Sequence, residues 1–416
     1  MQIRGFTLAS NRVKKSIMKL TLKDLDLKGK KLIVRVDFNV PLDDAGNITD
    51  DNRIKESLPT IQHALQEGVS RLILMSHLGR PKGKPEAKYS LKPVAKYLEK
   101  ALKRPVVLTS DCVGSKVQDE IAKAPKDAVI LLENLRFHEE EEKNEPQFAK
   151  SLASLADVYV NDAFGTSHRA HASVAGITQH LPSAAGFLLE KEIKYLGKVL
   201  SNSEKPFVAI LGGAKVSDKI GLVENIIDKV DRILIGGAMA YTFMKVKGLS
   251  VGKSRVETDK LELAKDILEK AKKKNVEIVL PVDNIVVQEF KEDAKFQIVE
   301  NGIPEGWEGV DIGPKTTALF AQKLKDARTA VWNGPMGVFE MKNFKNGSLG
   351  VAKALAENKQ VTSVIGGGDT AACVVQLGFG SNMSHISTGG GASLEFLEGK
   401  KLPGIECLSN KEKVAR

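Results

Sequence analysis

The sequence contains few of the residues that would indicate a disulfide-bonded or membrane-embedded protein. It has only three cysteines, Cys112, Cys373 and Cys407, which lie far apart and form no Cys-x-x-Cys pair. Reduced thiols in the cytoplasm are therefore predicted. No apolar run approaches the roughly 20 residues needed to span a bilayer. We predict a cytoplasmic protein without a membrane segment.

Several familiar site motifs are also absent. The segment GLSVGKS resembles the end of a P-loop, but Lys247 occupies the position of the first glycine. In GFGSNM, Met383 replaces the last glycine of a dinucleotide-binding fingerprint. The segment GLSVG has the G-x-S-x-G spacing, but it does not directly follow a predicted strand run, as a serine nucleophile elbow would. We therefore predict direct group transfer, which needs no covalent nucleophile.

Positively charged residues are in only modest excess over negatively charged ones. The 62 basic residues outnumber the 52 acidic ones, which gives a net charge of +10. This mixed surface is weak evidence for nucleic-acid binding, and a cationic cleft for polyanionic small molecules explains the excess equally well. A length of 416 residues favours two domains.

The first 17 residues form a basic segment with no acidic residue and no continuous apolar stretch. This composition does not fit a secretory signal. A transit peptide, a basic arm or an over-long start with Met18 as the true beginning would each explain it. We expect residues 1–17 to be unstructured.

Short runs rich in Val, Ile and Leu alternate with helical patterns along the rest of the chain. This alternation predicts an α/β fold with mostly parallel sheets and helices on both faces. In the first half the runs are KLIVRVDF, RLILMS, PVVLTS, AVILLE and DVYVND. In the second half they are FVAILGG, RILIGGAM, EIVLPVDN, TAVWNGPMG, SVIGGGDT and SHISTGGGAS. The segment between the halves has the leucine spacing of a linking helix.

Ligands of open α/β sheets bind beyond the carboxyl ends of the strands, and the first half ends its strands in polar residues. Asp37 and Asn39 follow the first strand with the same parity as Arg35, so their side chains would emerge on one side. They could orient a polar ligand, although an Asx turn before Pro41 explains them as well. Arg53 is ambiguous, because an arginine near a helix start is often simply exposed.

Positive side chains follow three further strands of the first half. His77 and Arg80 follow RLILMS, Arg136 follows AVILLE, and Arg169 lies in the loop after DVYVND. A single such arginine is usually a surface ion-pair partner, but three at equivalent positions predict an anion site. The histidines are not predicted to bind a metal, because no carboxylate or thiolate pattern accompanies them. The glutamates after Arg136 are interpreted as a solvated helix start.

The second half ends its strands in glycine. Gly212 and Gly213 precede Lys215 and Lys219, which we expect on one nascent helix, facing one phosphate chain. Two solvated lysines would be the simpler structural explanation. Glycine triplets at 366–368 and 389–391 allow backbone N–H groups to approach an anion, and a purely structural turn would have to occur twice.

Two further side chains accompany the first glycine triplet. Asp369 can hold a cation and Thr370 would begin a helix, so phosphate with Mg²⁺ is the natural pairing. Asn333 and Glu340, at another strand end, could recognise a ribose or a phosphate.

In order along the chain, RVDFNVP, HLGRP, NLRFHEEE, GTSHRAHAS, LGGAKVSDK, WNGPMGVFE, GGGDTA and STGGGAS resemble the successive motifs of the phosphoglycerate kinase family. The resemblance runs from about Met18 to Pro403 and beyond. It implies two Rossmann-like domains at residues 18–185 and 203–398, a linking helix at 186–202, and a segment at 399–416 that returns to the first domain.

The resemblance also implies the ligands and the residues that bind them. The first domain would bind 3-phosphoglycerate or 1,3-bisphosphoglycerate, through Asp37, Phe38, Asn39, Arg53, His77, Leu78, Gly79, Arg80, Arg136 and Arg169. The second would bind ADP or ATP, through Gly212, Gly213, Lys219, Gly236, Gly237, Gly313, Asn333, Glu340, Gly367, Gly368, Asp369 and Thr370. Asp369 would hold Mg²⁺. The catalytic residues would be Arg53, Lys215, Lys219, Gly368 and Gly391.

The activity implied is reversible in-line phosphoryl transfer between 1,3-bisphosphoglycerate and ADP after hinge closure, without a phosphoenzyme, by a monomer that binds neither nucleic acid nor membrane. Two other functions fit parts of the sequence. A nicotinamide-dependent oxidoreductase would also use strand-end glycines, but the missing fingerprint argues against it. A non-catalytic binding protein would retain the fold, but intact Arg53, Lys215, Lys219 and Asp369 argue against lost activity.

Overall fold

The structure is a computed structural model that describes residues 19–411. The predictions for residues 1–17 lie outside the described residues. Within the described part, none of the helices combines the length and apolar character needed to cross a membrane.

The first half of the chain forms a six-stranded parallel sheet. Its strands pair in the order β3-β4-β2-β1-β5-β6 when numbered along the chain. They are β1 (Lys31–Arg35), β2 (Arg71–Met75), β3 (Val106–Leu108), β4 (Val129–Leu131), β5 (Val158–Asn161) and β6 (Ser183–Ala185). The helices are α1 (Asn52–Gln66), α2 (Lys92–Leu102), α3 (Ser115–Lys123), α4 (Glu139–Lys143) and α5 (Pro146–Ala153).

Strand β1 illustrates why these runs are continuously apolar. Leu32 and Val34 pack in one hydrophobic cluster, whereas Ile33 points to the other face and packs in a second cluster. Helices cover both faces of the sheet, so the four residues that follow Lys31 in the strand are all buried. The predicted α/β class with mostly parallel sheets is confirmed.

The second half contains a matching parallel sheet in the order β15-β14-β13-β7-β8-β9. Its strands are β7 (Phe207–Leu211), β8 (Arg232–Ile235), β9 (Glu277–Val279), β13 (Thr329–Asn333), β14 (Thr362–Gly366) and β15 (His385–Ile386). Helix α6 (Phe187–Ser201) connects the two sheets. The later helices are α7 (Ile220–Ile226), α8 (Met239–Val246), α9 (Leu261–Lys273), α10 (Pro314–Leu324), α11 (Asn346–Glu357), α12 (Gly368–Gln376), α13 (Gly391–Leu397) and α14 (Pro403–Glu406).

A small antiparallel sheet was not predicted from the sequence. It consists of β10 (Asp283–Val287), β11 (Phe296–Glu300) and β12 (Glu308–Ile312), in the order β11-β10-β12. The prediction of one strand over EIVLPVDN is wrong, because β9 ends at Val279 and Asp283 begins a strand of this other sheet. Pro281 lies between the two strands, where a missing backbone N–H interrupts the ladder.

The last described residues contact the first half of the chain. Asn161 donates a hydrogen bond from Nδ2 to the Gly404 carbonyl at 2.9 Å, and Gly404 donates to the Ser167 carbonyl at 2.8 Å. Ser409 donates from its backbone to the Ser183 carbonyl at 3.1 Å. These contacts join α14 and the residues that follow it to β5, to the loop after β5 and to β6. The residue boundaries of the two domains stay a prediction.

Asp162 holds the start of helix α6. Its Oδ1 accepts hydrogen bonds from the backbone N–H groups of Leu188 and Leu189, at 2.9 and 3.2 Å, which are among the donors left free at a helix N-terminus. Burial raises the pKa of Asp162 to about 7, although these hydrogen bonds and one to Thr60 oppose the shift.

The raised pKa predicts a pH-dependent stability cost. Above pH 4 the unfolded chain releases the Asp162 proton, whereas the folded chain retains it until about pH 7, so stability falls over this window. We expect Asp162→Asn to gain about 2–4 kcal/mol relative to wild type between pH 4 and pH 8. Denaturation curves at several pH values would measure this gain. The exposed Asp266→Asn is the control, and a wild-type-to-D162N difference that is the same at every pH would contradict the prediction.

Candidate functional site

The carboxyl ends of the first sheet surround a polar cleft of about 370 Å³. Its walls come from the loops after β1, β2, β4 and β5, from the start of α1, and from a loop of the second half. The lining residues are Asp37, Asn39, Arg53, His77, Gly79, Arg80, Arg136, Gly165, Thr166, His168, Arg169, Gly389, Gly390 and Gly391.

The residues after β1 fix both sides of this cleft. Asp37 Oδ2 lies 2.7 Å from Arg53 Nη1, an ion pair that joins the loop to the first turn of α1. Asn39 Oδ1 accepts a hydrogen bond from the Gly79 N–H at 2.8 Å, which ties the loop to the HLGRP segment. The arginine whose role was ambiguous from the sequence therefore lies in the cleft.

Arg136 and Arg169 are held differently. Arg136 is only 6% exposed; its Nη1 donates to the Gly79 carbonyl at 3.0 Å, and its Nε lies 3.2 Å from Glu142 Oε1. Arg169 Nε donates to His168 Nε2 at 3.2 Å. Both guanidinium groups thus retain donors for a ligand, since each has five N–H groups.

A buried polar layer lies beneath the cleft. Arg35, fully buried, places Nη2 3.1 Å from His77 Nδ1 and donates from Nε to Ser173 Oγ at 2.9 Å. Burial is the main cause that holds the pKa of His77 well below its usual value, and the positive charge of Arg35 adds to the shift. The ring is therefore neutral. The interpretation of the glutamates as a solvated helix start is wrong for Glu141, which is fully buried beside Ser173.

The second sheet carries its own cleft, of about 510 Å³. It lies at the carboxyl ends of β7, β13 and β14 and at the starts of α12 and α13. The lining residues are Gly213, Ala214, Lys215, Asp218, Lys219, Asn333, Gly334, Pro335, Gly367, Gly368, Asp369, Thr370, Gly390, Gly391 and Leu394.

The sequence predicted that the two lysines of this cleft share one helix. This prediction is wrong. Lys215 is exposed in the loop after Gly213, and Lys219 ends a short 3-10 turn directly before α7. Both nevertheless line the same cleft. Burial lowers the pKa of Lys219, while Asp218 and Asp369 oppose the shift.

Gly367 shows why glycine is needed at the start of α12. Its φ is +88°, a conformation that side-chain-bearing residues rarely adopt, and a Cβ there would lie 2.7 Å from Asn333 Nδ2. That amide donates to the Gly366 carbonyl at 2.7 Å, and Thr370 Oγ1 accepts from the Gly334 N–H at 2.7 Å. These bonds hold the glycine-rich loop against the end of β13.

Some predicted site residues do not line either cleft. Phe38 and Leu78 place their side chains in the hydrophobic core. A Cβ on Gly212, Gly236, Gly237 or Gly313 would collide with neighbouring protein atoms, and Glu340 is exposed in the loop after β13. Their assigned ligand contacts stay a prediction. The predicted site residues did not include Gly165, Thr166, Asp218, Pro335 and Leu394, which line the clefts. All of these except Leu394 lay within motifs quoted from the sequence.

The two clefts meet at Gly390 and Gly391, which line both. This segment is fixed to the linking helix by Glu192, a fully buried residue of α6. Glu192 Oε1 accepts hydrogen bonds from the N–H and hydroxyl of Thr388 at 2.8 and 3.0 Å, and Oε2 lies 2.7 Å from His385 Nε2. One carboxylate therefore joins the linking helix to the junction of the clefts.

One cysteine lies closer to polar neighbours than the sequence spacing indicated. Cys112, Asp111 and His138 place their ligand atoms within 4.8 Å of one another. However, His138 Nε2 already lies 2.6 Å from Asp111 Oδ1, and burial raises the pKa of the Cys112 thiol well above its usual value. The cluster is therefore a histidine–aspartate pair beside a buried thiol.

Comparison with known proteins identifies the family. The family model described as phosphoglycerate kinase matches residues 22–400. The chain belongs to the phosphoglycerate kinase family. The phosphoglycerate kinase of Thermosipho africanus is 56% identical over 400 residues, which cover 95% of this chain and 99% of that protein. That of Koribacter versatilis is 56% identical over 402 residues, covering 94% of this chain and all of its own length.

Solved structures of phosphoglycerate kinases share the fold. The enzyme from Coxiella burnetii superimposes with a TM-score of 0.86 at 43% identity, covering 96% of this chain and 100% of its own. The Pyrococcus horikoshii enzyme gives a TM-score of 0.80 at 33% identity, with 94% and 98% of the two chains covered. The resemblance stated from the sequence motifs is therefore confirmed.

The family fixes the reaction. The protein is a glycolytic kinase that transfers a phosphoryl group reversibly between 1,3-bisphosphoglycerate and ADP, giving 3-phosphoglycerate and ATP. It is a phosphotransferase with a carboxyl group as acceptor. This assignment decides against the nicotinamide-dependent oxidoreductase.

Proposed function

We propose that the arginine-lined cleft binds the phosphoglycerate, that the glycine-lined cleft binds the nucleotide, and that the phosphoryl group crosses between them at Gly390 and Gly391. The observation that carries this proposal is that both glycines line both clefts. A group bound in one cleft can therefore approach a group bound in the other across these two glycines.

Direct in-line transfer fits the charges around this junction. The terminal oxygen of ADP attacks the acyl phosphate, the new P–O bond forms, and the bond to the carboxyl oxygen breaks. Arg53 lines the cleft of the first half, and Lys215 and Lys219 line that of the second. Gly368 and Gly391 begin helices α12 and α13, so their N–H groups lack intrahelical partners and can stabilise the transferring oxygens.

Arg53→Ala and Lys219→Ala test the two charges. We expect each to lower kcat at least about 100-fold, because each removes a cation that neutralises charge developing in the transition state. A coupled assay for ATP-dependent phosphorylation of 3-phosphoglycerate would measure this loss. Lys55→Ala, an exposed cation on the same helix as Arg53, should remain within twofold of wild type. Near-normal turnover of either site variant would remove that residue from the mechanism.

Asp369 is proposed to hold Mg²⁺ bound with the nucleotide. The carboxylate is exposed in the first turn of α12 and lines the nucleotide cleft, so it offers the hard oxygen ligand that Mg²⁺ prefers. Mg²⁺ characteristically takes one or two carboxylates and completes its shell with phosphates and water. When bound, the ion would neutralise phosphate charge, and the residues present fit it.

Asp369→Asn is expected to raise the Mg²⁺ concentration needed for half-maximal turnover at least tenfold, because the neutral amide is a weaker ligand. Titration of Mg²⁺ at fixed ATP would measure the shift, and a chelator should abolish turnover in the wild type until excess Mg²⁺ is added. An unchanged Mg²⁺ dependence in the variant would assign the ion to other ligands.

Hinge closure around the linking helix is proposed to bring the substrates together and to exclude water from the acyl phosphate. We further propose a monomer in the cytoplasm, a location that the free thiols support. Small-angle scattering should give a monomer mass and a smaller radius of gyration with both substrates than with either alone. An unchanged radius would contradict closure, and cell fractionation would test the location.

A further inference from the structure

Glu141 is a buried carboxylate that lines neither cleft. It lies on the short helix α4, and its side chain turns inward beneath the phosphoglycerate cleft. Oε2 accepts a hydrogen bond from the Ser173 N–H at 2.9 Å, and Oε1 accepts one from the Ser173 hydroxyl at 2.6 Å. Both oxygens are therefore used by a single residue of the loop after β5.

The same hydroxyl continues the chain of hydrogen bonds upward. Ser173 Oγ accepts from Arg35 Nε at 2.9 Å, and Arg35 Nη2 lies 3.1 Å from Nδ1 of His77, which lines the cleft. A guanidinium group can only donate, so His77 Nδ1 must be the acceptor and Nε2 must carry the ring proton. The neutral ring is thus fixed in the tautomer that can donate from Nε2 to an anion.

We propose that Glu141 is a positioning residue for phosphoglycerate binding, acting through Ser173 and Arg35 on the ring of His77. The proposal rests on the assignment of the arginine-lined cleft to phosphoglycerate. It adds a residue that the ligand never touches. Buried residues that hydrogen-bond to the ligand-contacting groups of a site commonly hold those groups in productive geometry.

Charge balance supports a role in the position of Arg35. A fully buried guanidinium without a counter-charge is costly, and Glu141 is separated from it by one hydroxyl group. His171, whose Nδ1 lies 3.7 Å from Glu141 Oε1, does not take this role as a cation, because burial lowers its pKa to about 3. Loss of the carboxylate would therefore weaken the hold on the Nε side of Arg35, whose Nη1 still donates to the Val36 carbonyl.

A purely electrostatic role makes the opposite prediction. Removal of a negative charge beneath an anion site would strengthen phosphoglycerate binding, whereas loss of positioning would weaken it. Glu141→Gln distinguishes the two, since glutamine keeps the size of the side chain and removes its charge. Glu140→Gln removes the same charge from the exposed side of the same helix and is the matched control.

We expect Glu141→Gln to raise the KM for 3-phosphoglycerate about tenfold and to leave the KM for ATP within twofold, with Glu140→Gln unchanged in both. Ser173→Ala keeps the carboxylate but removes the bridging hydroxyl, so it should raise the KM for 3-phosphoglycerate at least threefold. An unchanged or lower KM for 3-phosphoglycerate, or an equal rise in both KM values, would overturn the proposal.

A thermal melt would reveal whether Glu141→Gln folds. If it does not, Ser173→Ala tests the proposal alone, and an unchanged KM for 3-phosphoglycerate in that variant would overturn it. All values are ratios to wild type. Failure of the proposed phosphoglycerate site itself would instead appear as normal 3-phosphoglycerate kinetics in Arg53→Ala.

Discussion

Parallel pairing of strands is the constraint on which both clefts depend. Strand β1 lies between β2 and β5, and all three run in the same direction. Residues that follow them therefore emerge at one edge, although Asp37, His77 and Arg169 are far apart in sequence. The second sheet repeats this arrangement with β7, β13 and β14. The site thus follows from topology before any side chain makes a contact.

The arginines at one edge of the first sheet repel one another, and nearby carboxylates reduce this repulsion. Asp37 pairs with Arg53, and Glu142 lies beside Arg136. The histidines add no further positive charge, since burial lowers the pKa of His77 and of His171. In the proposed site, the guanidinium groups would therefore supply the charge that meets an anionic ligand, and the neutral rings would supply hydrogen bonds.

The sequence could predict those parts of the site that depend on strand ends alone. Arg80, Arg136, Arg169 and the glycine triplets each follow a recognisable apolar run, and they lie beyond the ends of strands as expected. Arg53 follows no such run, so the sequence left its place ambiguous. It could not predict that Glu141 turns inward, because its neighbours on α4 are exposed and only the loop containing Ser173 distinguishes it. Strand β11 was missed because most of its residues are exposed, so it lacks a continuous apolar signal. The dual role of Gly390 depends on the approach of two sheets, which no local pattern encodes.

The segment where the clefts meet is also where the two halves are joined, and this limits how they can move. Separation of Glu192 from Thr388 would leave Oε1 of this fully buried carboxylate without its donors, at a cost of about 1–3 kcal/mol. In the proposed closure, rotation at the ends of α6 would avoid that cost. Gly390 has φ +51° and ψ −112°, a geometry open to glycine alone, and the N–H of Gly391 depends on it for its direction. A junction that is rigid while the flanking backbone bends would keep the transfer geometry constant as the clefts approach.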